Sequence, residues 1–232
     1  MRTEAMIMAG GGGTRMRASG IELPKPLVQV AGRPLIAWNL RSLLRHGLQH
    51  IRVSAAERLH PVRDWAEGPG RAMAEAAGAT LELDIETTPL GNIGATGLRA
   101  GRCDRLLVVF ADNLTDLDLG ALLSAHRGAL TLAVHHHPMP LAYGQVALDG
   151  DRILAYHEKP VLQVPVASGL YVMGPEAMAV VAERGRCGAS EMVQAVLARG
   201  AQVTAYTHSA RWIDVNDAER LAAAAEIAAA IG

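Results

Sequence analysis

The chain has 232 residues with a formal net charge of -1, half of them hydrophobic and 19% charged. A chain of this length buries roughly 70% of its unfolded surface in one core, so a single domain over residues 1–232 is expected. Charge balance without like-charge runs, and only 3% aromatic residues, argue against nucleic acid or an anionic membrane as partner. Phosphate chemistry, if present, has to come from a local pocket.

Short β-like runs alternate with Ala/Leu/Arg-rich helical stretches through the first half, which predicts an α/β fold with helices on both faces of a mainly parallel sheet. Strands are expected at Ala5 to Met8, Ile51 to Ser54, Thr80 to Ile85, Leu106 to Phe110 and Leu130 to Val134. Leu35, Leu40, Leu43 and Leu44 form one helical face that ends near His46-Gly47. Beyond Pro140, the runs Gln145 to Leu148 and Ile153 to His157 flank Asp149-Gly150, a dipeptide suited to a type I′ hairpin turn. Helices are expected at Pro175 to Ala182, Glu191 to Arg199 and Ala218 to Ile231.

Cys103 and Cys187 lie far apart and in no metal-ligand spacing, as expected of reduced thiols. No secretory signal and no run of about 18 apolar residues is recognised, so a soluble, cytoplasmic protein is expected. His135, His136 and His137 point to alternating faces of a strand and read as a strand end rather than as one metal site. Met6, Met8, Met173 and Met178 read as core fillers.

The first chemical signal is the strand running into AGGGGTR, Ala9 to Arg15. Glycines leave backbone N–H groups free to surround phosphate oxygens. The P-loop pattern fails because no Lys follows the glycines, and the dinucleotide fingerprint fails for want of a third Gly. A sharp structural turn is the alternative. Arg15 and Lys25, the latter stiffened by prolines on both sides, are the cations suited to a triphosphate. Asp112 follows the apolar run LLVVFA, and Asp214 follows a shorter one in WIDVND. Each stands where a strand end presents a ligand, and each would equally serve as a helix cap. Two convergent carboxylates with phosphate oxygens would suit Mg²⁺.

AGGGGTRMRASGIELPKPLVQVAGRPLI resembles the signature of the sugar-nucleotide pyrophosphorylases, nucleotidyltransferases with a GT-A-like fold. VFADN stands in place of that family's strand-Gly-Asp, and WIDVND is similar to its WxDIGT segment. The Tyr143 to Pro160 stretch resembles the acceptor-side hairpin ending in Glu-Lys-Pro, SGLYVMGPEAM the NxGIYVxxPE strand and helix, and PLGNIGATGL the base-side PLGTAGAL loop. The chain departs from the pattern at Ala18 to Gly20, at Ala111, at Ser168 where an Asn is common, and at Asn92 and Ile93.

The resemblance implies a Mg²⁺-dependent transfer of a nucleoside monophosphate from an NTP to a sugar 1-phosphate. Arg15 and Lys25 would be catalytic and Asp112 and Asp214 would hold the metal. Ala9, Gly10, Gly11, Gly12, Gly13, Thr14, Glu86, Gly91 and Asn92 would contact the nucleotide, and Asn113, Gly144, Glu158, Lys159 and Ser168 the acceptor. A cytidylyltransferase acting on a phosphonate or alcohol phosphate, and a noncatalytic nucleotide-sensing subunit, are the alternatives. Compact relatives that activate heptose 1-phosphate with GTP or N-acetylmuramic acid 1-phosphate with UTP point to guanylyl or uridylyl transfer.

Overall fold

Strand β1 (Thr3–Met8) is buried along five of its six residues, which requires cover on both faces of the sheet. It pairs in parallel with β4 (His50–Ala56) on one side and β6 (Arg105–Phe110) on the other, Ala5 lying opposite both Ile51 and Leu107. The computed structural model describes residues 1–10 and 23–231. Gly11, Gly12, Gly13, Thr14 and Arg15 lie outside the described residues.

A small hairpin, β2 (Gln29–Val30) and β3 (Arg33–Pro34), leads into helix α1 (Leu35–Arg45). Gly47 ends that helix at φ +76°. Its N–H bonds to the Leu44 carbonyl at 3.0 Å and the Leu48 N–H to the Leu43 carbonyl at 3.2 Å, the paired bonds of a Schellman cap. After β4 come α2 (His60–Trp65), a wider turn at Ala66–Gly70 that accommodates Pro69, α3 (Arg71–Ala76) and β5 (Thr80–Glu86). Proline has no N–H for the regular ladder, and the widened turn takes up the mismatch.

A 3₁₀ turn (Gly94–Arg99) precedes β6, which is followed by β7 (Asn113–Thr115), α4 (Leu119–Ala125) and β8 (Leu130–Pro140). A two-stranded ribbon, β9 (Gln145–Asp149) and β10 (Arg152–His157), then leads to β11 (Val161–Met173), α5 (Pro175–Arg184), α6 (Ala189–Ala198), β12 (Val203–Thr207), β13 (Trp212–Asp214) and α7 (Ala218–Ile231). Helix α6 starts before the expected Glu191. The Glu191 carboxylate accepts the Gly188 N–H at 2.8 Å and Asn92 accepts the Ala189 N–H at 2.9 Å, so two of the orphan donors of the first turn are satisfied.

The seven-stranded sheet has the order β12-β8-β11-β6-β1-β4-β5. β11 runs antiparallel to both its neighbours, and the remaining pairings are parallel, so the α/β fold with a mixed, mainly parallel sheet is as expected. Alternating side chains feed two cores. Ile7, Leu107 and Val109 meet Ile36, Leu40 and Leu43 of α1 and Leu122 of α4 on one face. Met6, Met8, Leu106 and Val108 meet Met178 and Val181 of α5 and Met192 and Val196 of α6 on the other. Each fully buried Leu or Ile contributes about 1.5–3 kcal/mol relative to exposure. Trp38 packs in a third cluster with Ile227 and Ile231 of α7, and its indole N–H donates to the Val30 carbonyl at 2.8 Å.

Two local expectations are corrected. β8 does not end at Val134 but runs on through the three histidines to Pro140, because each residue from His135 to Pro140 has a partner in β11. The hairpin turn is centred on Gly150-Asp151 rather than Asp149-Gly150, since Asp149 pairs with Arg152. Gly150 has φ +60° and Asp151 is not in the left-handed region, so glycine occupies the first central position of a two-residue loop, as a type II′ turn requires. Among the described residues no helix is long and apolar enough to cross a membrane.

Candidate functional site

A cleft of about 740 Å³ opens at the carboxyl ends of β1, β4, β5 and β6, the end at which open α/β sheets bind ligands. Its size falls within the range of small-molecule sites. Ala9 and Gly10, the start of the glycine loop, form part of its floor. The Ala9 N–H is bonded to the Ser54 carbonyl at 2.8 Å, which fixes the direction in which the chain leaves β1. Ser54 in turn donates to Glu86 Oε1 at 2.5 Å, and the other Glu86 oxygen accepts the Leu90 N–H at 3.3 Å. A Cβ on Gly10 would stand 2.9 Å from Glu86 Oε1. Glu86 thus packs against Gly10 and ties it to the loop that carries Leu90 and Gly91.

On that loop, Gly91 has φ +83°, and a Cβ there would lie 2.4 Å from the Cys187 carbonyl oxygen. Both the left-handed backbone and the close approach require glycine. Asn92 lines the cleft while its amide oxygen caps α6.

Asp112 and Asp214, more than one hundred residues apart, are brought together by backbone pairing. β13 runs antiparallel to β7 with Asp214 opposite Asn113, and the Val215 N–H donates to the Asp112 carbonyl at 3.0 Å. The two carboxylates converge on one atom. Lys25 Nζ lies 2.8 Å from Asp112 Oδ2 and 3.1 Å from Asp214 Oδ1, with its side chain only 11% exposed. Asn216 Oδ1 accepts from the same ammonium at 2.6 Å, and its amide nitrogen donates to the other oxygen of Asp214. Asn216 was not anticipated from the sequence. Its signal was its place two residues after Asp214 in WIDVND. Arg58, also unanticipated, adds a cation at the cleft wall.

Beside the carboxylates, Asn113 lines the cleft and donates from Nδ2 to the Ser168 carbonyl at 3.4 Å. Gly169 follows at φ +70° within a bulge of β11, and a Cβ on it would stand 2.2 Å from Asn113 Nδ2. Ser168 itself is fully buried. Its hydroxyl lies 2.8 Å from both His135 Nδ1 and His208 Nε2, donating to one ring and accepting from the other. It is therefore turned away from the cleft wall formed by Ala167 and Gly169. Burial holds both imidazoles below their ordinary value, and each is further lowered by histidine neighbours. The Trp212 ring lies against His135 with centroids 5.0 Å apart and the planes tilted by 36°.

The remaining acceptor-side candidates flank the β9–β10 ribbon and are not among the residues lining the cleft. Gly144 lies against Tyr156, whose hydroxyl donates to Glu158 Oε2 at 2.7 Å. Lys159 follows with φ +44° and is exposed.

A family model described as Nucleotidyl transferase matches residues 4–230. The chain belongs to this family. Among its nucleotidyl transferase relatives, the mannose-1-phosphate guanylyltransferase of Mycobacterium tuberculosis is 30% identical over 94% of this chain and 62% of its own length. The UTP–glucose-1-phosphate uridylyltransferase of Synechocystis is 30% identical over 75% of this chain. The chain spans only 62% and 49% of the lengths of these two relatives. In structure it is similar to HddC of Yersinia pseudotuberculosis complexed with GMP-PN, with a TM-score of 0.71, 20% identity and coverage of 97% and 99% of the two chains. It is also similar to the inositol-1-phosphate CTP transferase of T. maritima, with a TM-score of 0.72, 17% identity and coverage of 100% and 96%. These two likenesses bear on the fold.

Proposed function

We propose that this nucleotidyl transferase moves a nucleoside monophosphate from an NTP to a sugar 1-phosphate, releasing pyrophosphate, in the cytoplasm. The observation that carries the reading is the meeting of Lys25, Asp112 and Asp214 in a cleft whose floor begins the glycine loop. The names of the guanylyl- and uridylyltransferase relatives support a sugar 1-phosphate acceptor and favour GTP or UTP as donor.

The donor set fits Mg²⁺. Two carboxylate oxygens from different segments surround one cationic atom at 2.8 and 3.1 Å, and Mg²⁺ takes one or two carboxylates and completes its shell with phosphate oxygens and water. Asp112 and Asp214 would hold it. When bound, the ion neutralises charge on the phosphate oxygens and aligns donor and acceptor.

The chain's own residues divide the remaining work. Glu86 and Gly10 fix the exit of β1 at the floor of the cleft, and Lys25 supplies positive charge against the phosphates. Arg15 has the matching role in the loop. Gly91 and Asn92 present the backbone at the base end. The acceptor phosphate oxygen forms a bond to the α-phosphorus as the bond to the bridging oxygen of pyrophosphate breaks. The attacking phosphate is already ionised, so no base is required, and stabilising the phosphoryl charge is the main task.

The test is pyrophosphate release with each common NTP against a panel of sugar 1-phosphates, with an EDTA control. Release that needs one NTP, one sugar 1-phosphate and the metal supports the reading. Release only with CTP and a phosphonate or alcohol phosphate replaces it with cytidylyl transfer. Nucleotide binding without release across both acceptor sets replaces it with a sensing role.

A further inference from the structure

The ammonium of Lys25 has three oxygen partners, Asp112 Oδ2, Asp214 Oδ1 and Asn216 Oδ1, at 2.8, 3.1 and 2.6 Å. That is the complete donor capacity of a lysine head group. A lysine directed at phosphates would keep at least one of these donors free, and this one keeps none. The oxygens come from β6's exit and from the segment around β13, held to each other by the Val215 N–H to Asp112 carbonyl bond. Asn216 also fixes Asp214, accepting from Lys25 with its oxygen while donating to Asp214 with its nitrogen.

We infer that Lys25 is the resident counter-ion of a three-oxygen cation site formed by Asp112, Asp214 and Asn216, and that a divalent cation enters by displacing it. This rests on the metal role given above to the two aspartates and adds two features. Asn216 is a further cation-site residue, and Lys25 has two stations, one on the carboxylates and one on the phosphates. The divalent ion and the lysine head cannot share the same oxygens. Cation alone therefore binds weakly, because it must displace an ammonium already held by three oxygens. A phosphate ligand provides the second station, so metal and nucleotide each strengthen the binding of the other by the same factor.

Such an arrangement protects the site. Two carboxylates with a bound ion and no nucleotide would hold an idle metal, whereas the lysine keeps the oxygens neutralised until the triphosphate arrives. Its proline-flanked backbone in the 3₁₀ turn Lys25–Leu27 holds the root of the side chain still, so the exchange is a rotation of the four-carbon stem.

Mn²⁺ alone is the probe, with the free ion measured by electron paramagnetic resonance and no phosphate present. Lys25→Met keeps the length of the stem and removes the charge. The expected result is Mn²⁺ binding at least about tenfold tighter in Lys25→Met than in the wild type, the weak end of what a unit charge a few ångströms away exerts at a protein surface. Adding Asn216→Ala to Lys25→Met is expected to lower that affinity severalfold. Equal binding by wild type and Lys25→Met overturns the inference and leaves the aspartates as a metal site. Absence of Mn²⁺ binding in both overturns the metal role itself and the inference with it.

A second measurement uses the wild type and does not depend on the folding of a variant. The sequence contains only two lysines, Lys25 and Lys159, so acetylation by an N-hydroxysuccinimide ester, read by mass spectrometry, has a built-in reference in exposed Lys159. Saturating Mn²⁺ is expected to raise the Lys25 rate severalfold relative to Lys159 by freeing the ammonium. An unchanged ratio at saturation overturns the displacement.

Discussion

Replacing Arg99 by Met tests how the segment from Gly91 to Arg99 is anchored to the sheet. Arg99 Nε and Nη2 reach the two oxygens of Glu4 at 2.8 and 3.0 Å, and both side chains are buried, Glu4 to 1% exposure. Removing one partner of a buried pair leaves an uncompensated charge and costs about 3–5 kcal/mol. Here Arg2, itself 58% exposed, also reaches Glu4 at 2.9 Å and partly compensates, which places Arg99→Met near the lower end, at about 3 kcal/mol. At roughly 2 °C per kcal/mol for a chain of this length, the Tm is expected to fall by about 6 °C in calorimetry. The double change Glu4→Leu with Arg99→Met removes both charges and is expected within about 1 kcal/mol of the wild type, because a buried pair replaced by apolar groups is often near neutral. Because Arg99 ends the 3₁₀ turn that continues from Gly91 and Asn92, the single variant should also raise KM for the nucleotide. A Tm for Arg99→Met within 1 °C of the wild type, or a double variant less stable than the single, would refute the reasoning.

Three further outcomes are expected. Lys25→Ala should reduce turnover by about 100- to 1000-fold, by analogy with the loss of one preorganised donor, in a steady-state pyrophosphate assay; near-normal turnover removes Lys25 from the mechanism. Gly169→Ala meets Asn113 Nδ2 at 2.2 Å in a left-handed backbone and should cost roughly 1–3 kcal/mol in urea unfolding, whereas Gly150→Ala, with nothing within 4 Å, should cost only the backbone strain. Burial, with help from neighbouring charges, holds His126, His135 and His208 below the ordinary 6.5, so the unfolded chain takes up these protons first. Stability is retained above about pH 6.5, declines as the pH falls from there through the depressed folded values, and levels off below them; a Tm that rises on acidification from pH 7 to 5.5 would contradict this.

Much of this arrangement was legible because it is written locally. Asp112 and Asp214 each follow an apolar run, and α1 ends where Gly47 permits its cap. Met6, Met8, Met173 and Met178 each lie in an apolar run, and all four are in the core. What escaped depends on pairing between distant segments. No spacing announces that Lys25 is held between the two aspartates, because that contact exists only once β13 lies against β7. The same holds for Ser168, whose hydroxyl is turned toward His135 and His208 by the register of β11 on β8 and the return of the chain after β12. The turn at Gly150-Asp151 was displaced by one residue because Asp-Gly and Gly-Asp are both good turn dipeptides, and only the cross-strand register chooses between them. Gly144, Glu158 and Lys159 flank a ribbon that is placed by the pairing of β8 with β11, not by its own sequence.

That ribbon has a mechanical consequence. The outer halves of β8 and β11 pair from His135 to Pro140 and from Val161 to Val166 but bury little, so they act as a boom extending from the sheet. Its foot is the irregularity in β11 between Ala167 and Tyr171, beside the cleft wall. Six residues of strand reach roughly 20 Å, so a tilt of about 10° at the foot carries the far end through about 3.5 Å, close to the length of one hydrogen bond. A small rearrangement at Ser168 and Gly169 would therefore be geared up into a displacement of that size at Glu158 and Lys159, which stand beyond the far end of the boom.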